Sequence, residues 1–146
     1  MNLSYQIDLY RIMFLRIKRS VVKGRVIVNA KPIFLLALID MIADKRIVNN
    51  EVYFNQELEE RYIAKYNELL PNDKATPLYR PFYHLINDEF WHLKFTNEFT
   101  AESLTEKRLR ENVRCGCFDN ALWDLLQEEN NRSFYSKLLI DNYLSK

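Results

Sequence analysis

The sequence predicts a mainly α-helical, compact domain with a small β-wing. Three observations predict it. Glycine is scarce, at two residues in 146, and a sandwich or barrel built on tight turns needs more of it. Apolar residues recur at three- and four-residue spacing over several stretches. Those stretches open on helix-start residues: Asn29 with Pro32, Asn55, and the box at residues 103–106. A chain of this length, residues 1–146, is one domain by the usual size range. Its 48% hydrophobic and 14% aromatic content argues against a disordered chain.

Residues 1–19 read as an amphipathic helix, with Leu9, Ile12, Met13 and Ile17 on one side and arginines around them. Gly24 ends it, and residues 25–28 suit a strand or an extended lead-in. Pro32 falls in the first turn of the next helix, where its missing N–H costs nothing. Residues 32–43 are apolar nearly all round, which makes this the central helix. Residues 45–50 form a polar turn and 52–54 an extended piece. Asn55 caps a helix over 56–70 with the stripe Leu58, Tyr62, Tyr66 and Leu69. Residues 71–77 are the clearest loop. Pro81 opens a short helix carrying Phe82, Leu85 and Ile86. Residues 90–95 alternate as a strand and pair with 52–54 as the wing. The box at 103–106 starts a helix to Arg114, with Gly116 in its C-cap region. Asp119 caps residues 120–128, with Leu122, Leu125 and Leu126 inward. Ser133 caps a last helix holding Leu138, Leu139 and Tyr143.

Charge is unevenly spread. The chain sums to +1, yet residues 1–31 set Arg11, Arg16, Lys18, Arg19, Lys23, Arg25 and Lys31 against Asp8 alone, a balance of +6 that leaves −5 for the rest. Residues 1–28 therefore read as a basic N-terminal arm or helix. Such asymmetry points to a polyanion at one face, nucleic acid before a membrane surface; a solubilising arm is the other reading. The longest apolar run, residues 33–42, is broken by Asp40 and too short to span a bilayer. The N-terminus lacks the apolar core and cleavage site of a secretory signal. Cys115 and Cys117 stand too close in regular backbone to bridge. A metal site needs two more ligands near them. A reducing, cytoplasmic compartment is expected, with no metal and no cofactor.

No catalytic motif is present. His84 and His92 are the only candidate bases at neutral pH, and there is no nucleophile elbow or phosphate-binding glycine loop. Binding is better supported. Residues 79–94, YRPFYHLINDEFWHLK, combine cations, histidines and rings around a turn proline. The cations fall in three places. Arg16, Lys18, Arg19, Lys23 and Arg25 lie in the arm; Lys31 and Arg80 form a second group. Lys107, Arg110 and Arg114 make a third, within about 60° of one another on a helix. Convergence of the three would make a groove for several phosphates. Tyr79, Tyr83 and Trp91 could stack there. Trp91 and Phe82 read better as core, with Tyr79 and Tyr83 as its rim, while Arg80 and His84 flank Pro81 and read as functional. Two other readings stand beside DNA binding: a regulatory module docking on an acidic protein, and a small metal-dependent nuclease using His84 and His92.

The blocks AKPIFLLALIDMI, PLYRPFYHLINDEFWHLK and LREN…FDNALWDLL run in that order over residues 30–144. Together they resemble the sulfur-binding domain found ahead of HNH nuclease domains in phosphorothioate-dependent, McrA-type restriction endonucleases. The resemblance implies a mainly helical domain that binds duplex DNA and seats a phosphorothioate sulfur in a shallow apolar pocket rimmed by cations. Pro81 matches the pocket proline and Lys31 the basic residue, with Arg110 or Arg114 as the later cation. Arg80 replaces the family's tyrosine before that proline, and His84 replaces a small residue. The resemblance also implies a cutting partner, as a nuclease domain or subunit.

Overall fold

The computed structural model describes residues 3–22, 26–99, 102 and 104–144, with backbone alone for 21, 22, 26 and 27. The protein is mainly α-helical with small antiparallel sheets. Helix α1 (Leu3–Leu15) leads into two short strands, β1 (Val21–Val22) and β2 (Val26–Ile27), which pair antiparallel. Helices α2 (Ala30–Ala43), α3 (Gln56–Leu69) and α4 (Tyr79–His84) follow, and a 3₁₀ turn (Leu85–Asp88) leads to strand β3 (Trp91–Phe95). Then come α5 (Glu106–Asn112), β4 (Val113–Phe118), α6 (Asn120–Leu125), α7 (Glu129–Leu139) and a π turn (Ile140–Leu144). No described helix is long and apolar enough to cross a membrane.

Helix α2 is the hub, as its all-round apolar sequence predicts. Ile33, Phe34, Leu35, Ala37 and Leu38 have no exposed surface, and the helix packs against α3, α7 and α4. Burying each large side chain is worth about 1.5–3 kcal/mol. Helix α3 matches its sequence signals: the Asn55 side chain accepts from Leu58 N–H at 2.9 Å, and Leu58, Tyr62 and Tyr66 are buried.

Several expectations change. In α1 the buried side is Tyr10, Phe14 and, just beyond, Ile17, while Leu9 and Ile12 face out. Phe14 decides this, because its ring packs between Phe90 and Tyr135. The arm-or-helix reading of this segment thus resolves, over its first part, to a core-packed helix. Lys23, Gly24 and Arg25 lie outside the described residues. In the last helix, Ser133 is internal, since α7 begins at Glu129. Asp119 stands at the start of α6 without capping it; Tyr10 and His92 take its carboxylate instead.

The largest change concerns residues 113–118. They form a strand, so the helix after residue 105 stops at Asn112, whose side chain donates to Arg108 O at 2.8 Å. Thr105 caps that helix by accepting from Arg108 N–H; Ser103 lies outside the described residues. Strand β3 pairs with β4, Trp91 opposite Phe118 and His92 opposite Cys117. Residue 52 joins the far edge of β4, not β3, through paired bonds with Gly116. Gly116 is therefore a strand residue, not a helix cap. Glycine is required at this position of the strand for a steric reason: a Cβ there would stand 2.2 Å from Trp91 Cζ2. The indole has no room to retreat. Its N–H donates to Phe82 O at 2.9 Å, and Phe34, Phe82 and Phe118 surround it edge-on.

Gly116→Ala is expected to cost about 2–3 kcal/mol by overpacking, lowering Tm by roughly 5–10 °C in thermal unfolding followed by circular dichroism. An unchanged Tm would refute the close approach of Trp91 to this strand.

Candidate functional site

Asp88 organises the site. It ends the 3₁₀ turn after α4 and is buried, its side chain only 2% exposed. One carboxylate oxygen accepts from the Lys18 backbone N–H at 2.8 Å. The other accepts from Lys31 Nζ at 2.7 Å, and the Lys31 side chain is 12% exposed. A carboxylate taken out of water needs such partners. Asp88 thereby ties together the segment after α1, the first turn of α2 and the end of α4. The next residue, Glu89, takes a left-handed conformation at φ 74°, which turns the chain so that Phe90 and Trp91 enter the core.

The segment after α1 is fixed a second time by Tyr143. Its hydroxyl accepts from Ile17 N–H at 2.9 Å and donates to Phe14 O. The Arg19 guanidinium lies 4.6 Å over the Tyr143 ring and donates to Asn29 Oδ1 at 2.7 Å. Asn29 precedes α2, so its side chain serves Arg19 rather than capping the helix.

These ties close a cavity of about 420 Å³ lined by Lys18, Arg19, Ser20, Val28, Ala30, Lys31, Thr76, Arg80, Pro81 and His84. Pro81, Ala30 and Val28 make its apolar side. Pro81 is buried in the helix yet faces this space. Among the described residues no acid lines it. The cations are held by neutral groups: Lys18 Nζ by Asn87 O at 3.2 Å, Arg19 by Asn29 and Tyr143, and Arg80 by the Tyr79 ring at 5.3 Å. Among the described residues, Lys31 is the lining cation whose charge is offset, by Asp88. Burial, and then the charges of Lys31 and Arg80, push the His84 pKa below the ordinary histidine value.

The structure thus brings together Lys18, Arg19, Lys31, Arg80, Pro81 and His84. It leaves out the third cation group. Arg114 lies on β4, so the helical stripe with Lys107 and Arg110 does not exist. Each of the three meets a carboxylate: Lys107 with Glu111, Arg110 with Glu106, and Arg114 with Glu51. Arg110 also covers the Phe54 ring at 4.6 Å. Tyr79 and Tyr83 do not line the cavity. Tyr79 sits beneath Arg80, and Tyr83 is buried against His84 and Phe99. Arg16 is exposed at the end of α1 and is not in the lining either.

His92 belongs to a different, more open cavity of about 960 Å³ with Tyr10, Glu51, Lys94, Cys117 and Asp119. There Asp119 accepts from Tyr10 OH at 2.9 Å and meets His92 Nε2. Burial, then Asp119, push the Tyr10 pKa up; burial also raises that of Cys117. The two histidines therefore cannot serve one catalytic centre. Among the described residues no three His, Cys, Asp or Glu side chains are grouped to hold a metal ion.

Sequence reasoning missed Asp88, Asn29 and Thr76. Asp88 carried a usable signal: a carboxylate between Leu85, Ile86 and Phe90 has little reason to lie there unless a cation meets it. No known family model matches the chain, and no curated protein is significantly similar to it.

Asp88→Ala is expected to cost about 3–5 kcal/mol, since it strands a buried ammonium and an amide. The pair Asp88→Leu with Lys31→Met should recover part of that loss. Urea unfolding of both variants measures it; a single-variant cost below about 1 kcal/mol would remove Asp88 as the organiser.

Proposed function

We propose that the protein is a DNA-binding recognition domain that grips the duplex backbone at the Pro81 cavity and reads a phosphorothioate there. In this reading it is the specificity part of a restriction system, and cutting belongs to a nuclease domain or subunit. One observation carries the reading: Lys18, Arg19 and Arg80 surround an apolar wall with no acid among the described lining residues. Cations held by neutral partners keep their field for an incoming anion, whereas a carboxylate would cancel it.

Sulfur in place of a non-bridging oxygen keeps the charge but is larger, more polarisable and less well hydrated. A proline ring and aliphatic groups gain dispersion contact with it and lose little on desolvating it. About 30 Å² of such contact contributes on the order of 1 kcal/mol, a preference of about fivefold. Overall affinity comes from the cations, which do not select. With the α5 cations engaged elsewhere, the expected footprint is small.

Titration of matched modified and unmodified duplexes should show log affinity falling with log salt at a slope of about −3. Arg80→Ala should remove about one from that slope. Pro81→Ala should reduce the sulfur-to-oxygen ratio, and His84→Ala should raise it by opening space. A salt-independent isotherm would reject the backbone grip; equal affinity for both duplexes would reject sulfur reading.

pH supplies an independent check. Burial first, and then the charges of Lys31 and Arg80, hold the free-state His84 pKa down; a bound anion offsets the second cause. Protons therefore bind more readily to the complex than to the free protein. Affinity should strengthen as pH falls below the ordinary histidine value, and His84→Ala should flatten that profile.

A further inference from the structure

Helix α1 has a second apolar face that the core does not use. With Tyr10, Phe14 and Ile17 turned inward, the outward arc holds Tyr5, Asp8, Leu9, Ile12, Leu15 and Arg16, within about 120° at 100° per residue. Its four apolar members are 64%, 36%, 39% and 37% exposed in chain order. A solvent face of an ordinary surface helix is polar. This one offers a ridge of apolar side chains with one acid and one base.

The order of those two charges points to an occupant. Asp8 and Arg16 each stand four residues from Ile12, on opposite sides. In an antiparallel pair crossing at Ile12, Asp8 of one copy faces Arg16 of the other, and the same contact repeats at the other end. Leu9 meets Leu15 in the same way. This is the self-complementarity that a two-fold interface requires. A helix lying on a membrane would instead carry several lysines or arginines beside its apolar face.

We infer that this α1 face joins two copies of the chain in an antiparallel, two-fold dimer. One helix of 13 residues is about 20 Å long, so the contact is small and the dimer weak. The Asp8–Arg11 pair within one chain, at 3.3 Å and exposed, yields at little cost.

Sedimentation equilibrium without nucleic acid tests this. A monomer–dimer equilibrium is expected, with a dissociation constant on the order of 10–100 μM. Ile12→Lys, an exposed position whose fold circular dichroism verifies, should leave only monomer. Asp8→Arg should weaken association about tenfold or more, and Asp8→Arg with Arg16→Asp should restore it to within about threefold. A monomeric native chain at about 1 mM, dimerisation surviving Ile12→Lys, or no rescue by the double reversal would each overturn the assignment.

Discussion

The buried carboxylate of Asp88 is the constraint on which the cavity beside Pro81 depends. Alone it would be costly in a low-dielectric interior. It is tolerable because Lys31 and the Lys18 amide both reach it. With Asp88 itself these two partners represent three stretches of the chain, so satisfying one charge fixes three segments at once. The backbone around it is correspondingly committed, with Glu89 left-handed immediately afterwards. Lys31 thereby becomes a structural cation, and the outward field falls to its neighbours.

That division separates two kinds of positive charge. Lys18, Arg19 and Arg80 are oriented by a carbonyl, an amide oxygen and aromatic faces. Lys107, Arg110 and Arg114 are compensated by glutamates on the surface. Counting cations along the chain treats both sets alike. Electrostatics does not, because potential at a site follows the nearest uncompensated charges. An overall charge of +1 is thus compatible with a strongly positive hollow.

Helix α1 shows a related economy. It buries Tyr10 and Phe14 on one side and presents Tyr5, Leu9, Ile12 and Leu15 on the other. Its apolar pattern is consequently weakly one-sided. This is why Leu9 and Ile12 read as core from spacing alone. Only the aromatic receptors Phe90 and Tyr135 distinguish the two faces, and they lie far along the chain.

What the chain itself determined was local and periodic. A nearly all-apolar run made α2 central, Asn55 with its stripe made α3, and the scarcity of glycine together with helical spacing indicated a mainly α fold. The cluster of Arg80, Pro81 and His84 was legible because polar groups beside a turn proline are unusual in a core element. What tertiary structure decided were the pairings. Residues 113–118 became a strand by pairing with residues 91–95 and 52, and Trp91 needs a side-chain-free surface at Gly116, demands invisible within the segment. Lys18 and Arg19 met Lys31 and Arg80 because Asp88 and Tyr143 pinned the intervening chain, whereas Arg114 was carried to the sheet. Helix propensity acts over neighbouring residues, but burial of a charge or a ring is settled by groups distant in sequence.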